Sequence, residues 1–201
     1  MKIDWTTLNA KVPTEKSSDE SNEFTEQRRH IFTQYFDVNS NGYCSLAECD
    51  KGLTELLASS NLDSDGNDTS IILTKPVILR AFTSAKTIAQ EKGGSESGSR
   101  SDYIEFSEFR YFLLYVKEYI QLWELFAKID SDNDRRISYD EFVSDTLPKL
   151  QNNEYYSRIF TEAATTNESI FQSIDTNHGG YILFIELAQY VINKRIMLSI
   201  E

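Results

Sequence analysis

Residues 37–48 read Asp37-Val38-Asn39-Ser40-Asn41-Gly42-Tyr43-Cys44-Ser45-Leu46-Ala47-Glu48. Oxygen-bearing side chains recur at alternate positions, a glycine stands sixth and a glutamate closes the stretch. A hard dication such as calcium takes roughly six to eight oxygens, and this spacing delivers them as the chain wraps around one point. Asp37, Asn39 and Asn41 offer side-chain oxygens, Tyr43 its backbone carbonyl, and Ser45 a water or a direct bond. Glu48 closes the cage with both carboxylate oxygens from the first turn of the following helix. Gly42 takes the sharp turn, in a conformation that costs a residue with a Cβ about 1–2 kcal/mol.

Working outward, the same twelve-residue plan recurs in weaker form from residues 97, 130 and 175, ending in Glu108, Glu141 and Glu186. The third loop is the most acidic: Asp130, Asp132 and Asp134, the Arg136 carbonyl, Ser138 and Glu141. Arg135 stands where the turn glycine belongs, a strain of roughly 1–3 kcal/mol. Clustered carboxylates without a cation would repel one another, so this loop is expected to bind metal despite the strain. The fourth keeps Asp175, Asn177, Gly180, the Tyr181 carbonyl and Glu186, but has Gly179 and Leu183 at ligand positions. Water must fill in there, and a weaker site is expected. The second loop offers Ser97, Ser99 and Ser101, then Asp102 in place of glycine. Lacking a first carboxylate, it is expected to hold no metal and to brace the first loop through Tyr103-Ile104-Glu105. Cys44 opposite Ile104, and Ile137 opposite Ile182, are the expected cross-strand pairs.

Apolar residues at helical spacing flank every loop: Ile31, Phe32, Tyr35 and Phe36 before the first, and Leu46, Leu53, Leu56 and Leu57 after it. Phe106, Phe109, Phe112 and Leu113 leave the second, while Trp123, Leu125, Phe126 and Ile129 enter the third. Ile170, Phe171 and Ile174, then Leu187, Tyr190 and Val191, bracket the fourth. Pro76 suits a first helical turn. The pattern predicts an all-α fold of two lobes, each a pair of helix-loop-helix units joined by a short antiparallel pairing. Residues 1–22 form an N-terminal extension, 23–118 the first pair and 119–201 the second. Two polar insertions, at 59–69 and about 151–167, are expected to add little core, with Tyr155, Tyr156, Ile159 and Phe160 offering an extra helix packed on the outside. Asp63 to Asp68 mimics a loop start, but Thr74 falls where the closing glutamate should be, so the stretch reads as linker. Ile3, Trp5, Leu8 and Val12 form an apolar cluster outside the repeats. Chain ends fray by default; the sharper alternative is docking onto one lobe with release by metal.

The 201 residues carry a net charge of −12, which argues against nucleic-acid binding because phosphate contacts need a basic face. Cys44 and Cys49 are too few for a disulfide scaffold, so an intracellular, cytoplasmic setting is expected. Cys44 reads as a small apolar strand residue, with redox sensing the alternative. The start lacks an apolar signal core, and Lys2 stands where N-myristoylation needs glycine, which counts against membrane attachment. The apolar run Phe109 to Phe126 is interrupted by charges and reads as a buried helix. His30 and His178 have no partners at zinc spacing.

These loops resemble the EF-hand superfamily, and the resemblance covers about Glu23 to Met197. Within it the chain is similar to protozoan flagellar calcium-binding proteins, the calflagins. The similarity lies in Arg80-Ala81-Phe82 with Ala85-Lys86, in Tyr103-Ile104-Glu105-Phe106-Ser107-Glu108-Phe109-Arg110, and in Leu147-Pro148-Lys149-Leu150. The resemblance implies calcium as the bound ion, tolerance of a missing glycine in the third loop, and a cilium or flagellum as the setting. It also implies a myristoylated glycine after the initiator, from which this chain departs.

No P-loop, G-x-S-x-G, Cys–His arrangement or metal-binding histidine pair is visible, so a non-enzymatic protein is expected. The expected role is a calcium sensor, with magnesium a possible competitor, that opens an apolar groove for an amphipathic partner helix. The alternatives are a constitutive structural subunit of a cilium or flagellum, and a calcium buffer.

Overall fold

Two short antiparallel ladders tie the loops in pairs. β1 (Tyr43–Ser45) pairs with β2 (Tyr103–Glu105), setting Cys44 opposite Ile104. β3 (Arg136–Ser138) pairs with β4 (Tyr181–Leu183), setting Ile137 opposite Ile182. Both expected registers are present, because each ladder buries its central apolar residue and exposes or half-exposes the flanking ones. The computed structural model describes residues 4–15, 23–58, 75–91, 102–130, 132, 134–154, 156–160 and 166–200. The whole first insertion, with the linker-like stretch 63–68, and the serines expected in the second loop lie outside the described residues.

The remaining elements are helical, giving the all-α fold expected. α1 (Trp5–Lys11) and α2 (Glu23–Ile31) precede the first loop, and α3 (Leu46–Ala58) leaves it. α4 (Lys75–Glu91) enters the second loop, with Pro76 in its first turn. α5 (Phe106–Ile129) leaves that loop and also enters the third. After β3 come α6 (Tyr139–Glu141), α7 (Leu147–Gln151) and α8 (Ser157–Phe160); α9 (Asn167–Ile174) and α10 (Phe184–Ile200) flank the fourth loop. The chain divides into two compact units, Met1–Gln121 and Leu122–Glu201, with the boundary inside α5.

In the first unit, Phe32, Phe36, Phe109 and Phe112 form an edge-to-face cluster, with ring centroids 5.0 Å apart for Phe32–Phe109 and 4.8 Å for Phe36–Phe109. Such pairs contribute about 0.5–1.5 kcal/mol beyond their buried area. α2 does not run straight into the loop. Phe32–Phe36 is a π turn, closed by Asp37 N–H donating to the Phe32 carbonyl at 2.8 Å. A second π turn, Phe142–Thr146, follows α6. The first lies at the very end of its helical run, directly before Asp37, so no later apolar residue displays the shift in periodicity that an inserted residue makes.

Residues 4–15 of the N-terminal segment are seated, not frayed; Ile3 and the Trp5 side chain of the expected apolar cluster lie outside the described residues. Asp4 caps α1 by accepting from Thr6 and Thr7 N–H, each at 3.1 Å. Leu8 and Val12 are 0% exposed. Beyond them the Thr14 carbonyl accepts from Arg110 Nε at 2.8 Å, Thr14 Oγ1 from Lys117 Nζ at 3.0 Å, and the Glu15 carbonyl from Arg28 Nη1 at 2.8 Å.

In the second unit, Tyr156, Ile159 and Phe160 are 1%, 4% and 1% exposed, which corrects the expectation that this insertion packs outside. Their spacing places all three on one face of a single helical turn. Gln151 Nε2 fastens that turn by donating to the Phe160 carbonyl at 2.9 Å. Tyr155 lies outside the described residues.

Candidate metal centre

The first, third and fourth loops begin on an aspartate that closes back on its own backbone. Gly42 N–H donates to Asp37 Oδ2 at 3.0 Å, Arg135 N–H to Asp130 Oδ2 at 2.9 Å, and Gly180 N–H to Asp175 Oδ2 at 2.9 Å. These bonds need a left-handed sixth residue, and φ is +89° at Gly42, +67° at Arg135 and +78° at Gly180. Arg135 therefore takes the glycine conformation at a cost of about 1–2 kcal/mol. The fourth residues described, Ser40 and His178, are left-handed as well, at +58° and +56°.

All four loops are closed alike. Ser45, Glu105, Ser138 and Leu183 donate their N–H to Oε2 of Glu48, Glu108, Glu141 and Glu186 at 2.8, 2.9, 3.0 and 2.9 Å. In the third loop this is one half of a capping box, with Ser138 Oγ accepting from Glu141 N–H. Each closing carboxylate thus sits in the first turn of an exit helix.

In the first loop, Asn39 Oδ1 accepts from Asn41 N–H at 3.0 Å and Asn41 Oδ1 from Tyr43 N–H at 3.1 Å, turning both amides inward along the wrap. Asn39 Nδ2 donates to Glu48 Oε1 at 2.9 Å, tying the third and last ligand positions together. In the third loop, Asp132 and Asp134 accept from the N–H of Asp134 and Arg136 at 3.0 and 2.8 Å. Asp130, Asp132 and Asp134 converge, with one oxygen of each within 4.8 Å of the others. Asp130 Oδ1 is buried and has no hydrogen-bond partner among the described residues. Burial pushes the Asp130 carboxyl above its ordinary value; the bond from Arg135 N–H opposes this, and Asp132 and Asp134 reinforce it. A carboxylate that keeps one buried oxygen without a hydrogen bond and converges with two further carboxylates fits a hard dication.

In both the first and the fourth loops the leading aspartate accepts on both oxygens from the loop's own backbone, Asp37 from Asn41 and Gly42 N–H at 2.8 and 3.0 Å. Both Asp175 oxygens accept from loop N–H groups at 2.9 Å, and Glu186 Oε1 accepts from Thr176 Oγ1 and Asn177 N–H, each at 3.1 Å. A Cβ on Gly179 would lie 2.6 Å from Asn177 Oδ1, so that amide occupies space an aspartate would need. Tyr43, Arg136 and Tyr181 each begin a strand, and the Arg136 guanidinium lies 5.6 Å from the Tyr181 ring centroid.

The second loop departs from the others at Glu108. Lys86 Nζ, from α4, lies 2.7 Å from Glu108 Oε1. Sequence reasoning missed this contact; its only signal was a lysine in the helix entering a loop without a first carboxylate. Cys44 Sγ faces the Ile104 carbonyl at 3.6 Å and Cys49 Sγ at 3.5 Å, and hydrogen bonding to Cys44 together with burial pushes the Cys49 thiol up.

Paired helix-loop-helix units whose acidic loops close on a glutamate define an EF-hand protein of the calcium-binding class. The family model for the FCaBP EF-hand domain matches residues 8–116, and the chain belongs to that family. It is similar to flagellar calcium-binding protein TB-17 of Trypanosoma brucei brucei, 28% identical over 199 residues that make up 98% of this chain and 75% of that protein. It is also similar to the flagellar calcium-binding protein of Trypanosoma cruzi, 27% identical over 188 residues, 92% of this chain and 77% of that protein. Among the described residues, no helix is long and apolar enough to cross a membrane.

Proposed function

We propose that the protein is a non-enzymatic calcium sensor, with the first and third loops its principal sites and the fourth a weaker one. The observation that carries this reading is the unpartnered Asp130 oxygen set against Asp132 and Asp134. When bound, calcium supplies the positive charge that such a carboxylate set lacks. The chain's residues do the rest. Asp37 and Asp130 anchor each wrap, and Glu48 and Glu141 connect it to α3 and α6, so any change in how those carboxylates are held passes into the exit helices. Each unit then shifts toward an arrangement that uncovers its aromatic core for an amphipathic partner helix. The names of the relatives support a flagellar setting.

Isothermal calcium titration beside Glu48→Gln, Glu141→Gln and Glu186→Gln tests the sites. Loss of one strong site in each of the first two variants is expected, and an unchanged titration of Glu141→Gln removes the third loop. Increased binding of an apolar-surface dye with calcium is expected of a sensor; no increase leaves a buffer or a constitutive structural subunit. Magnesium in the same titration measures competition.

A further inference from the structure

We propose that Lys86 is a resident cation for the second helix-loop-helix unit, holding Glu108 without metal and thereby bracing the first loop. This rests on reading the first loop as a calcium site. Glu108 has the same backbone bond as its counterparts, Glu105 N–H to Oε2 at 2.9 Å. Its other oxygen differs in what it accepts. At Glu48 and Glu186 the donors are neutral: the Asn39 amide, and Thr176 Oγ1 with Asn177 N–H. At Glu108 the donor is the Lys86 ammonium, 2.7 Å away, and the two side chains are only 12% and 13% exposed. An exposed ion pair contributes little, but removing one partner of a shielded pair strands a charge.

The pair also joins the two helices of its own unit, since Lys86 belongs to α4 and Glu108 to the first turn of α5. A metal ion in a loaded loop holds the closing glutamate in much the same way; here the link is permanent. Directly before Glu108 stands β2, whose Tyr103, Ile104 and Glu105 pair with Ser45, Cys44 and Tyr43 of the first loop. The Tyr43 and Tyr103 rings meet edge to face with centroids 5.1 Å apart. Fixing Glu108 therefore fixes the strand on which the Tyr43 and Ser45 ligand positions are laid out, before any calcium arrives. Preordering of this kind raises affinity because less of the ordering cost falls on the binding step.

The test uses the full chain with Glu141→Gln and Glu186→Gln, so that the first loop is titrated alone. Adding Lys86→Met is expected to weaken its calcium affinity about fivefold or more, the usual lower range of coupling between sites. In chelator, the same variant is expected to lose hydrogen-exchange protection at the Cys44 and Ile104 amides. Lys86→Arg, which keeps the charge, is expected to restore both. Unchanged affinity in Lys86→Met, or equal losses in Lys86→Met and Lys86→Arg, overturns the proposal. Should Lys86→Met not fold, Glu108→Gln is read in the same way, since it keeps an acceptor for Glu105 N–H and drops the charge. If the parent binds no calcium, the first-loop reading has failed, and unchanged exchange in chelator still overturns the role of Lys86.

Discussion

Gly52 of α3 lies against the Tyr35 carbonyl so closely that a Cβ built on it would stand 2.5 Å from that oxygen and 2.8 Å from the Phe36 ring. The π turn pushes its backbone toward α3, and a residue without a side chain receives it. Gly52→Ala adds a methyl where neither backbone nor ring can give way easily. It is expected to destabilise the first unit by about 1–3 kcal/mol, the range for overpacked cores, read as a lower urea midpoint in chelator. An unchanged midpoint would show that the two helices part without cost.

Arg135 holds φ at +67°, where glycine is at ease. Arg135→Gly is expected to release about 1 kcal/mol of that strain, partly offset by glycine's greater freedom in the unfolded chain. Because the strain is already present in the metal-free fold, the gain is expected as a higher urea midpoint in chelator, with calcium affinity of the third loop little changed. A titration in which the variant binds several-fold more tightly would mean that calcium adds strain at Arg135 beyond that of the metal-free fold.

Asp130 is expected to have opposite effects with and without metal. Its carboxyl titrates above its ordinary value in the metal-free fold, so the folded state holds the proton more tightly than the unfolded chain does. Stability then falls as pH rises from the ordinary Asp value through the raised one, and the whole penalty is present at neutral pH. Asp130→Asn removes the charge while leaving an acceptor for Arg135 N–H. In chelator at pH 7 the variant is expected to melt a few degrees higher, with the advantage shrinking on acidification, whereas in calcium it is expected to melt lower than the parent. Scanning calorimetry under both conditions decides this.

Leu8 contributes a fully buried side chain from a segment outside the repeats. Leu8→Ala is expected to cost about 2–5 kcal/mol, as for other buried leucines, and to expose the Thr14 and Glu15 carbonyls to protease as the segment lifts. Should denaturation of the variant match the parent, the docking would be superficial.

In the second unit, Phe160→Ala is expected to cost about 3–5 kcal/mol, the usual range for a buried phenylalanine. Thermal denaturation measures it, and a loss below about 1 kcal/mol would place the residue at the margin of the core.

The loop closures were legible because they are local. Asp37, Gly42 and Glu48 lie within one wrap of chain, and the dication's demand for oxygens imposes a spacing visible in a single stretch. The strand pairs Cys44–Ile104 and Ile137–Ile182 were legible for a related reason: the loops repeat, and an apolar residue at the same place in each must find its equivalent. The π turns and the burial of Phe160 were less so. A π turn at the end of a helix leaves too few later residues to display its shift in periodicity, and three apolar residues on a short polar insertion do not announce which side they turn.

By itself, then, the order of residues determined the all-α architecture, the pairing of the loops and the glutamate that closes each one, since each depends on neighbours within about a dozen residues or on the repeat of the same dozen. Tertiary structure alone decided that Lys86 meets Glu108 and that Leu8 and Val12 are buried in the first unit. It also decided that Asp130 keeps one buried oxygen without a partner. The physical reason is distance along the chain. Arg110 and Thr14, or Lys86 and Glu108, are held together by packing of separate helices, and no periodicity in the intervening residues encodes which charge will face which carbonyl or carboxylate.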